Sequence, residues 1–242
     1  MKTPRTSSSS FRRHRTTVAL LIALLLGNAA CERKASVAST NSNSSAEQIA
    51  DVRAKADQGD VTAQAKLGRM LLEANHAKPD YAQSALWLRK AAEQGSAEAQ
   101  FYLAGLYEAG RGVERDFGQS VLWNLKAADA GHADAQYALA LLYATGKGTP
   151  KDKPASVRWF RAAAEQGLAE AQFNLAQRYQ HGQGVETNLA EAYMWFAIAA
   201  KNGLRDAITE SKPIKAELAP DQILQAEKSA AAFVPKRASS TP

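Results

Sequence analysis

A repeat with a fixed spacing of 36 residues organises this 242-residue chain. Glycine, alanine, glutamine, leucine and tryptophan return at fixed positions of the repeat, which we call columns. All four tryptophans of the chain stand in one column: Trp87, Trp123, Trp159 and Trp195. The units open at Gly59, Gly95, Gly131 and Gly167, and Gly203 opens a partial fifth. Self-similarity at such a period predicts an array of stacked helical units, each of which contacts its neighbours.

Each unit has the pattern of two helices joined by a turn. In the second unit, Ala99, Leu103 and Tyr107 are spaced four residues apart, so they share one face of the first helix. Gly110 and Gly112 suit the turn, because glycine ends helices and adopts positive φ. The second helices are predicted to begin at side chains that can cap a helix: Asp80, Asp116, Asp152 and Asn188. The four full units are residues 59–94, 95–130, 131–166 and 167–202.

These columns resemble the Sel-one-like repeat family, which is related to the tetratricopeptide repeats. In the second unit the resemblance rests on Ala99-Gln100-Phe101, on Gly110-Arg111-Gly112-Val113 and on Lys126-Ala127-Ala128. It covers roughly residues 46–232 with the flanking half-units. The resemblance implies an all-α, right-handed α-solenoid of four full repeats with helical caps. It also implies that the protein mediates protein–protein interactions, although the motif is specific for the fold and not for a partner.

The ends of the array are predicted to be helical caps. Residues 47–58 form an N-terminal cap helix, in which Asp51 stands in the tryptophan column because the outer face of a cap meets water. Residues 203–232 form C-terminal capping helices, interrupted where Pro213 is expected to end a helix. Residues 233–242 are expected to be a disordered tail.

Residues 1–30 have the features of a secretory signal peptide, in the order in which such a peptide carries them. A basic stretch at residues 12–15 precedes an apolar run at residues 18–27, which is too short for a comfortable membrane span. Ala29-Ala30-Cys31 resembles the end of a bacterial lipoprotein box, which implies acylation of Cys31, the only cysteine. Residues 31–46 would then form a flexible tether. Ordinary cleavage to a soluble periplasmic protein and an uncleaved anchor are the alternatives.

The lipoprotein interpretation places the protein on the periplasmic face of a bacterial membrane. Glu32 after the cysteine favours the outer membrane over the inner one. The formal net charge of +6 lies almost wholly in residues 1–31, which carry five basic and no acidic residues. The remaining chain is nearly neutral, so it lacks the basic surface that nucleic-acid binding requires.

We find no constellation of residues that predicts catalysis. The three histidines outside the signal, His76, His132 and His181, occupy different columns, and no pair has the spacing of metal ligands. Each is interpreted as a surface histidine. We therefore expect neither an enzyme nor a metal or cofactor site.

The candidate partner-binding surface is the face that the first helices present inside the curve of a solenoid. Its predicted residues are an aromatic column of Phe101, Tyr137 and Phe173 and an acidic column of Glu98, Asp134 and Glu170. An aromatic groove with acidic edges would suit an extended or helical peptide that carries basic residues. The alternative is that the rings pack between helices and that the acids favour the helix dipole.

These observations predict an exported, lipid-anchored scaffold or adaptor of the bacterial cell envelope. An envelope hydrolase acting on cell-wall or β-lactam substrates is one alternative, and it would need a nucleophile and a base clustered in the groove. A glycan-binding scaffold of exopolysaccharide export is another. Only the aromatic column supports it, and it requires rings that are exposed to solvent.

Overall fold

The computed structural model describes residues 41–73 and 79–236. This part of the chain contains eleven α-helices and no β-strand. The chain divides into two compact units, Met1–Arg115 and Asp116–Pro242, which are described in turn. The all-helical class predicted from the repeat is confirmed.

The first unit packs a helix that precedes the repeats against the first repeat. Val52 and Ala56 of the leading helix lie against Leu67 and Trp87, so the end of the array is covered by apolar contact. The helices of this unit are α1 (Asn41–Asp57), α2 (Val61–Glu73), α3 (Tyr81–Glu93) and α4 (Ala97–Ala109).

The second unit continues the repeats and closes them with two helices of a different pattern. Phe160 and Phe196 are fully buried at equivalent positions of consecutive second helices. The repeat helices are α5 (Phe117–Asp129), α6 (Ala133–Thr145), α7 (Lys153–Glu165), α8 (Ala169–His181) and α9 (Leu189–Lys201). The closing helices are α10 (Asp206–Glu217) and α11 (Pro220–Ala232).

Capping side chains fix where the second helix of each repeat begins. Each predicted cap accepts a hydrogen bond from the backbone N–H three residues later, with donor–acceptor distances of 3.0 Å at Asp80, 3.0 Å at Asp116, 2.8 Å at Asp152 and 3.0 Å at Asn188. These bonds satisfy amides that have no partner within the helix. The four predicted start positions are therefore confirmed.

The first helices also have caps, and the sequence interpretation missed them. Asp60 Oδ1, Ser96 Oγ and His132 Nδ1 accept from the amide three residues later at 2.7, 3.3 and 3.4 Å. His132 is thus a partly buried cap and not simply a surface side chain. In the last repeat Leu168 holds this position, and that helix has no side-chain cap.

The second glycine of the turn is required by close backbone contact. Gly112 has a φ of 69°, and a Cβ atom there would lie 2.1 Å from the carbonyl oxygen of Tyr81. The turn of one repeat therefore rests directly on the start of the preceding second helix. Any side chain at this position would force the two backbone segments apart.

The structure differs from the predicted boundaries at the N-terminal cap. Helix α1 begins at Asn41 and includes six residues of the predicted tether, because extending an existing helix costs less than starting one. The predicted signal peptide, Cys31 and the rest of the tether lie outside the described residues, as do residues 74–78 of the first turn.

Two predictions at the C-terminal end are wrong. Pro213 does not end a helix but lies inside α10, where the buried side chain of Ile214 anchors the turn that follows. Residues 233–236 are not frayed, because they pack against the third and fourth repeats through the contacts described below. Residues 237–242 of the predicted tail lie outside the described part of the chain.

Candidate functional site

The glutamine column joins each repeat to the helix before it. The side-chain Nε2 of each glutamine donates to the backbone carbonyl eight residues earlier, which lies in the last turn of the preceding helix. The four bonds are Gln64 to Ala56 (3.1 Å), Gln100 to Ala92 (3.0 Å), Gln136 to Ala128 (3.1 Å) and Gln172 to Ala164 (3.0 Å). All four glutamines are buried, so the amide replaces water at these carbonyls. The column was visible in the sequence, but its role was not.

A second column completes this hydrogen bonding in three of the four repeats. The Oε1 atoms of Gln64, Gln136 and Gln172 each accept from a side-chain amide thirty residues later. The donors are Gln94 at 2.7 Å, Gln166 at 2.8 Å and Asn202 at 2.9 Å. Gln100 differs, because its buried Oε1 has no hydrogen-bond partner among the described residues. The corresponding position thirty residues later holds Ala130, which has no side-chain donor.

The predicted aromatic column lies inside the repeats. Phe101, Tyr137 and Phe173 expose no more than 9% of their surface. The ring centroid of Tyr137 lies 5.7 Å from that of Phe160, and that of Phe173 lies 5.2 Å from that of Phe196. The rings of Tyr137 and Phe173 therefore hold the first helix of a repeat against its second helix. Their burial removes the only support for glycan binding, which required exposed rings.

Burial also sets the ionisation of the one phenol in this column. Burial raises the pKa of the Tyr137 hydroxyl above its ordinary value, and the Glu170 carboxylate raises it further. Asn174 Nδ2 donates to the hydroxyl oxygen at 3.3 Å and opposes this shift. Tyr137 therefore remains a neutral packing residue and is not a candidate proton donor near neutral pH.

The predicted acidic column is only partly exposed. Glu98, Asp134 and Glu170 are half-buried, and Glu98 Oε1 lies 3.2 Å from the Arg69 guanidinium. A partner on this face would meet carboxylates and almost none of the aromatic rings. The assignment of these six residues to partner binding stays a prediction.

The tryptophan column is covered differently from one repeat to the next. The ammonium of Lys90 lies 4.1 Å from the ring centroid of Trp87, and that of Lys126 lies 4.2 Å from the ring centroid of Trp123. In the third repeat the lysine position holds Ala162, which is too short to cover the ring, and Trp159 is partly exposed. In the fourth repeat the covering group comes from residues beyond the closing helices.

That covering group is Phe233, the first residue of a segment that we call the tail segment, residues 233–236. The ring of Phe233 meets that of Trp195 edge-on, with centroids 5.6 Å apart. Lys236 donates twice to Glu165, from its backbone N–H to the carbonyl oxygen at 2.8 Å and from its ammonium to the carboxylate at 2.7 Å. Pro235 lies over Gly167, where an added Cβ atom would be 3.1 Å from the proline ring. We call Glu165, Gly167 and Trp195 the tail site.

The part of the chain that the structure describes offers neither a metal cluster nor a membrane-spanning helix. In residues 41–73 and 79–236, no group of three or more His, Cys, Asp or Glu side chains could hold a metal ion. No helix in this part of the chain is long and apolar enough to cross a membrane.

Solved structures confirm the fold. A Sel1 repeat protein from Oxalobacter formigenes superposes with a TM-score of 0.64 at 33% sequence identity, over 76% of this chain and 55% of that one. A protective antigen present in uropathogenic Escherichia coli strains, displaying an SLR fold, superposes with a TM-score of 0.52 at 30% identity, over 78% of this chain and 49% of that one. The present chain thus spans about half the length of these structures. No curated protein matches it.

The repeat itself matches a family model four times in succession. The model is that of the Sel1 repeat, and the matched residues are 61–96, 97–132, 133–168 and 169–204. The period agrees with the one read from the glycines, and the boundaries are displaced by two residues. Sel1 repeat proteins generally mediate protein–protein interactions, and their scaffold is typically non-catalytic. This chain belongs to the Sel1 repeat family.

Proposed function

We propose that this protein is a non-catalytic scaffold or adaptor that is exported to the bacterial cell envelope and held there by lipid on Cys31. The observation that carries the scaffold part is the run of four consecutive Sel1 repeats, a type of repeat that generally binds protein partners. Helical repeats present side chains at a fixed spacing, which suits the recognition of another chain.

The export part is supported by the N-terminal sequence. A basic stretch, an apolar run of ten residues and the small residues before Cys31 follow one another in the order that a signal peptide requires. An acylated cysteine would hold the repeats at the periplasmic face of a membrane, with the outer membrane favoured by Glu32. One acyl chain alone binds membranes only marginally, so stable anchoring would need more than one.

The mass of the protein from native membranes tests the anchor. We expect a mature chain that begins at Cys31 and carries added acyl mass, and we expect Cys31→Ala to abolish both. Ser36→Ala, a change in the same polar stretch, is the matched control and should leave the mass addition in place. A chain without acyl mass would make the protein a soluble periplasmic one, and the anchor proposal would fail.

Crosslinking in intact cells tests the scaffold. We expect the wild-type chain to be crosslinked to a defined envelope protein. The same protein should be recovered, in the same molar ratio to this chain, with different crosslinkers. Purified protein that captures no envelope protein in any of these conditions would contradict the scaffold proposal. The two experiments are independent, because a soluble periplasmic protein can still be an adaptor.

A further inference from the structure

The tail segment is bound as a separate peptide would be bound. It follows α11 with extended backbone at Phe233 (φ −63°, ψ 124°) and lies outside the four matched repeats. Phe233, Pro235 and Lys236 contact the tail site, while Val234 is 79% exposed. An extended peptide on a receptor likewise directs some side chains toward the receptor and others toward solvent.

The tail site recognises three separate chemical features. Trp195 receives an aromatic ring, Gly167 leaves room for a proline ring, and the Glu165 carboxylate pairs with a basic side chain. The Glu165 carbonyl also accepts a backbone N–H, which fixes the register of the peptide. An aromatic anchor, a register-fixing backbone bond and a charge pair together define a sequence class.

The bound tail is held weakly enough to be exchanged. The Lys236 side chain is 72% exposed, and an ion pair so open to water contributes little. Val234 and Pro235 are also exposed, which leaves the Phe233 ring as the main apolar contact. The segment is attached through a short chain to α11, so it occupies the site mainly because its effective concentration is on the order of millimolar.

We propose that the tail site is a peptide-binding site for extended segments of the sequence aromatic–x–Pro–Lys/Arg, and that the protein's own tail segment occupies it until a partner segment of that sequence displaces it. This inference rests on the proposed scaffold function, for which it names a class of partner. The tail supplies the evidence for the occupant, because its own sequence Phe-Val-Pro-Lys shows which side chains the site accepts.

The test uses a fluorescent synthetic peptide that copies residues 231–237, Ala-Ala-Phe-Val-Pro-Lys-Arg. Its binding is measured by fluorescence polarisation to the wild-type protein and to a full-length variant with Phe233→Ala and Lys236→Ala, which we call the tail-release variant. We expect the variant to bind the peptide at least about tenfold more tightly, because its own tail no longer competes. Equal affinity for the two proteins would overturn the proposal.

Charge reversal tests the site itself. In the tail-release variant, Glu165→Lys should weaken binding of the copied peptide at least about tenfold, and a peptide with glutamate in place of its lysine should recover most of that loss. Glu93→Gln is the matched control, since Glu93 stands in the same column of the first repeat and is exposed. Binding that ignores the charge at residue 165 would contradict the assigned site.

If circular dichroism shows that the tail-release variant has lost helix, the single change Phe233→Ala serves in its place. Phe233→Ala alone keeps the ion pair between Lys236 and Glu165, so it should also increase the affinity for the peptide, but by a smaller factor. Failure of the peptide to bind either release variant would remove the tail site as a docking site. It would leave the scaffold proposal standing, because partner capture in cells is measured separately.

Discussion

The two ends of the repeat array are closed by different chemistry. At the N-terminal end, Gln64 Nε2 donates a hydrogen bond to the Ala56 carbonyl of α1, and the same type of bond joins the internal repeats. At the C-terminal end the glutamine column holds Ile208, whose side chain is 51% exposed, and that bond is lost. There the last repeat is closed by Tyr193 and Lys215, both of which donate to Glu227 at 2.8 Å, and by the tail segment.

This difference shows that a cap can imitate a repeat or replace it. Helix α1 lacks the tryptophan of the column but keeps the small residue and the carbonyl that the next repeat needs. Helices α10 and α11 keep only Ala207 in its column, bury Ile214, Ala226 and Ala230, and add polar contacts near the surface. The N-terminal end should therefore resist local opening, whereas the C-terminal end should open more readily and be more sensitive to pH.

The largest expected effect contrasts a leucine at each end. Leu67→Ala removes a fully buried side chain from the cluster of Val52, Ala56 and Trp87 and should lower the free energy of unfolding by about 2–5 kcal/mol. Leu224→Ala on α11 is the control, because that side chain is 54% exposed and should change stability by less than about 0.5 kcal/mol. Urea unfolding followed by circular dichroism measures both. Similar losses would mean that the two ends are equally packed.

The next prediction concerns the glutamine column. Gln64→Leu removes two hydrogen bonds, one to the carbonyl of Ala56 and one from the amide of Gln94, and at about 0.5–1.5 kcal/mol each their loss should cost about 1–3 kcal/mol in urea unfolding. The reciprocal change, Ile208→Gln, restores the column at the other end. It should change stability by less than about 0.5 kcal/mol, because the side chain there is already exposed to water. A marked gain from Ile208→Gln would show that the C-terminal end accepts the internal pattern.

A smaller effect is expected at the tail segment. Phe233→Ala removes the ring pair with Trp195, which is worth about 0.5–1.5 kcal/mol. The Lys236 amide, which donates to Glu165, should then exchange its hydrogen a few-fold to about tenfold faster. Val234→Ala is the control because its side chain faces solvent. Unchanged exchange at Lys236 would mean that the ring does not hold the segment.

The smallest effect is a pH dependence confined to the C-terminal end. The hydrogen bond from Lys215 holds the pKa of the Glu227 carboxyl below its ordinary value, and that from Tyr193 adds to the shift. Because the folded-state pKa is the lower one, this stabilisation is present above the ordinary carboxyl pKa and is lost as the pH falls through the folded-state value. Hydrogen exchange of α11 should therefore be slower in wild type than in Glu227→Gln at neutral pH and should become equal in acid. Glu217→Gln, an exposed change on α10, should show no such convergence.

Local patterns predicted the elements of the fold well. The caps at the second helices depend on contacts three residues apart, the period of 36 residues and the turn glycines recur in each unit, and the structure confirms them. Prediction was poorer where distant parts of the chain meet. The Pro213 helix depends on the burial of Ile214, and the ordering of residues 233–236 depends on Glu165, 71 residues earlier than Lys236.

The candidate site shows the same division. The aromatic column was correctly singled out as a repeated feature, but only packing distinguishes a ring on a surface from one against Phe160 or Phe196. A sequence signal did exist in the last two repeats, since Phe160 and Phe196 stand 36 residues apart on the second helices. No comparable signal marked the tail site, because the tail segment belongs to no repeat.

The sequence by itself determined the repeat, its helices and its family, because a column of identical residues reflects a contact that each unit makes in the same way. Only the tertiary structure decided how the array ends and which rings are covered. Those features depend on single residues such as Ile208 and Ala162, which depart from their columns, and Phe233, which lies outside the repeats and contacts Trp195. The repeat predicts average contacts, whereas the exceptions to it are settled by packing.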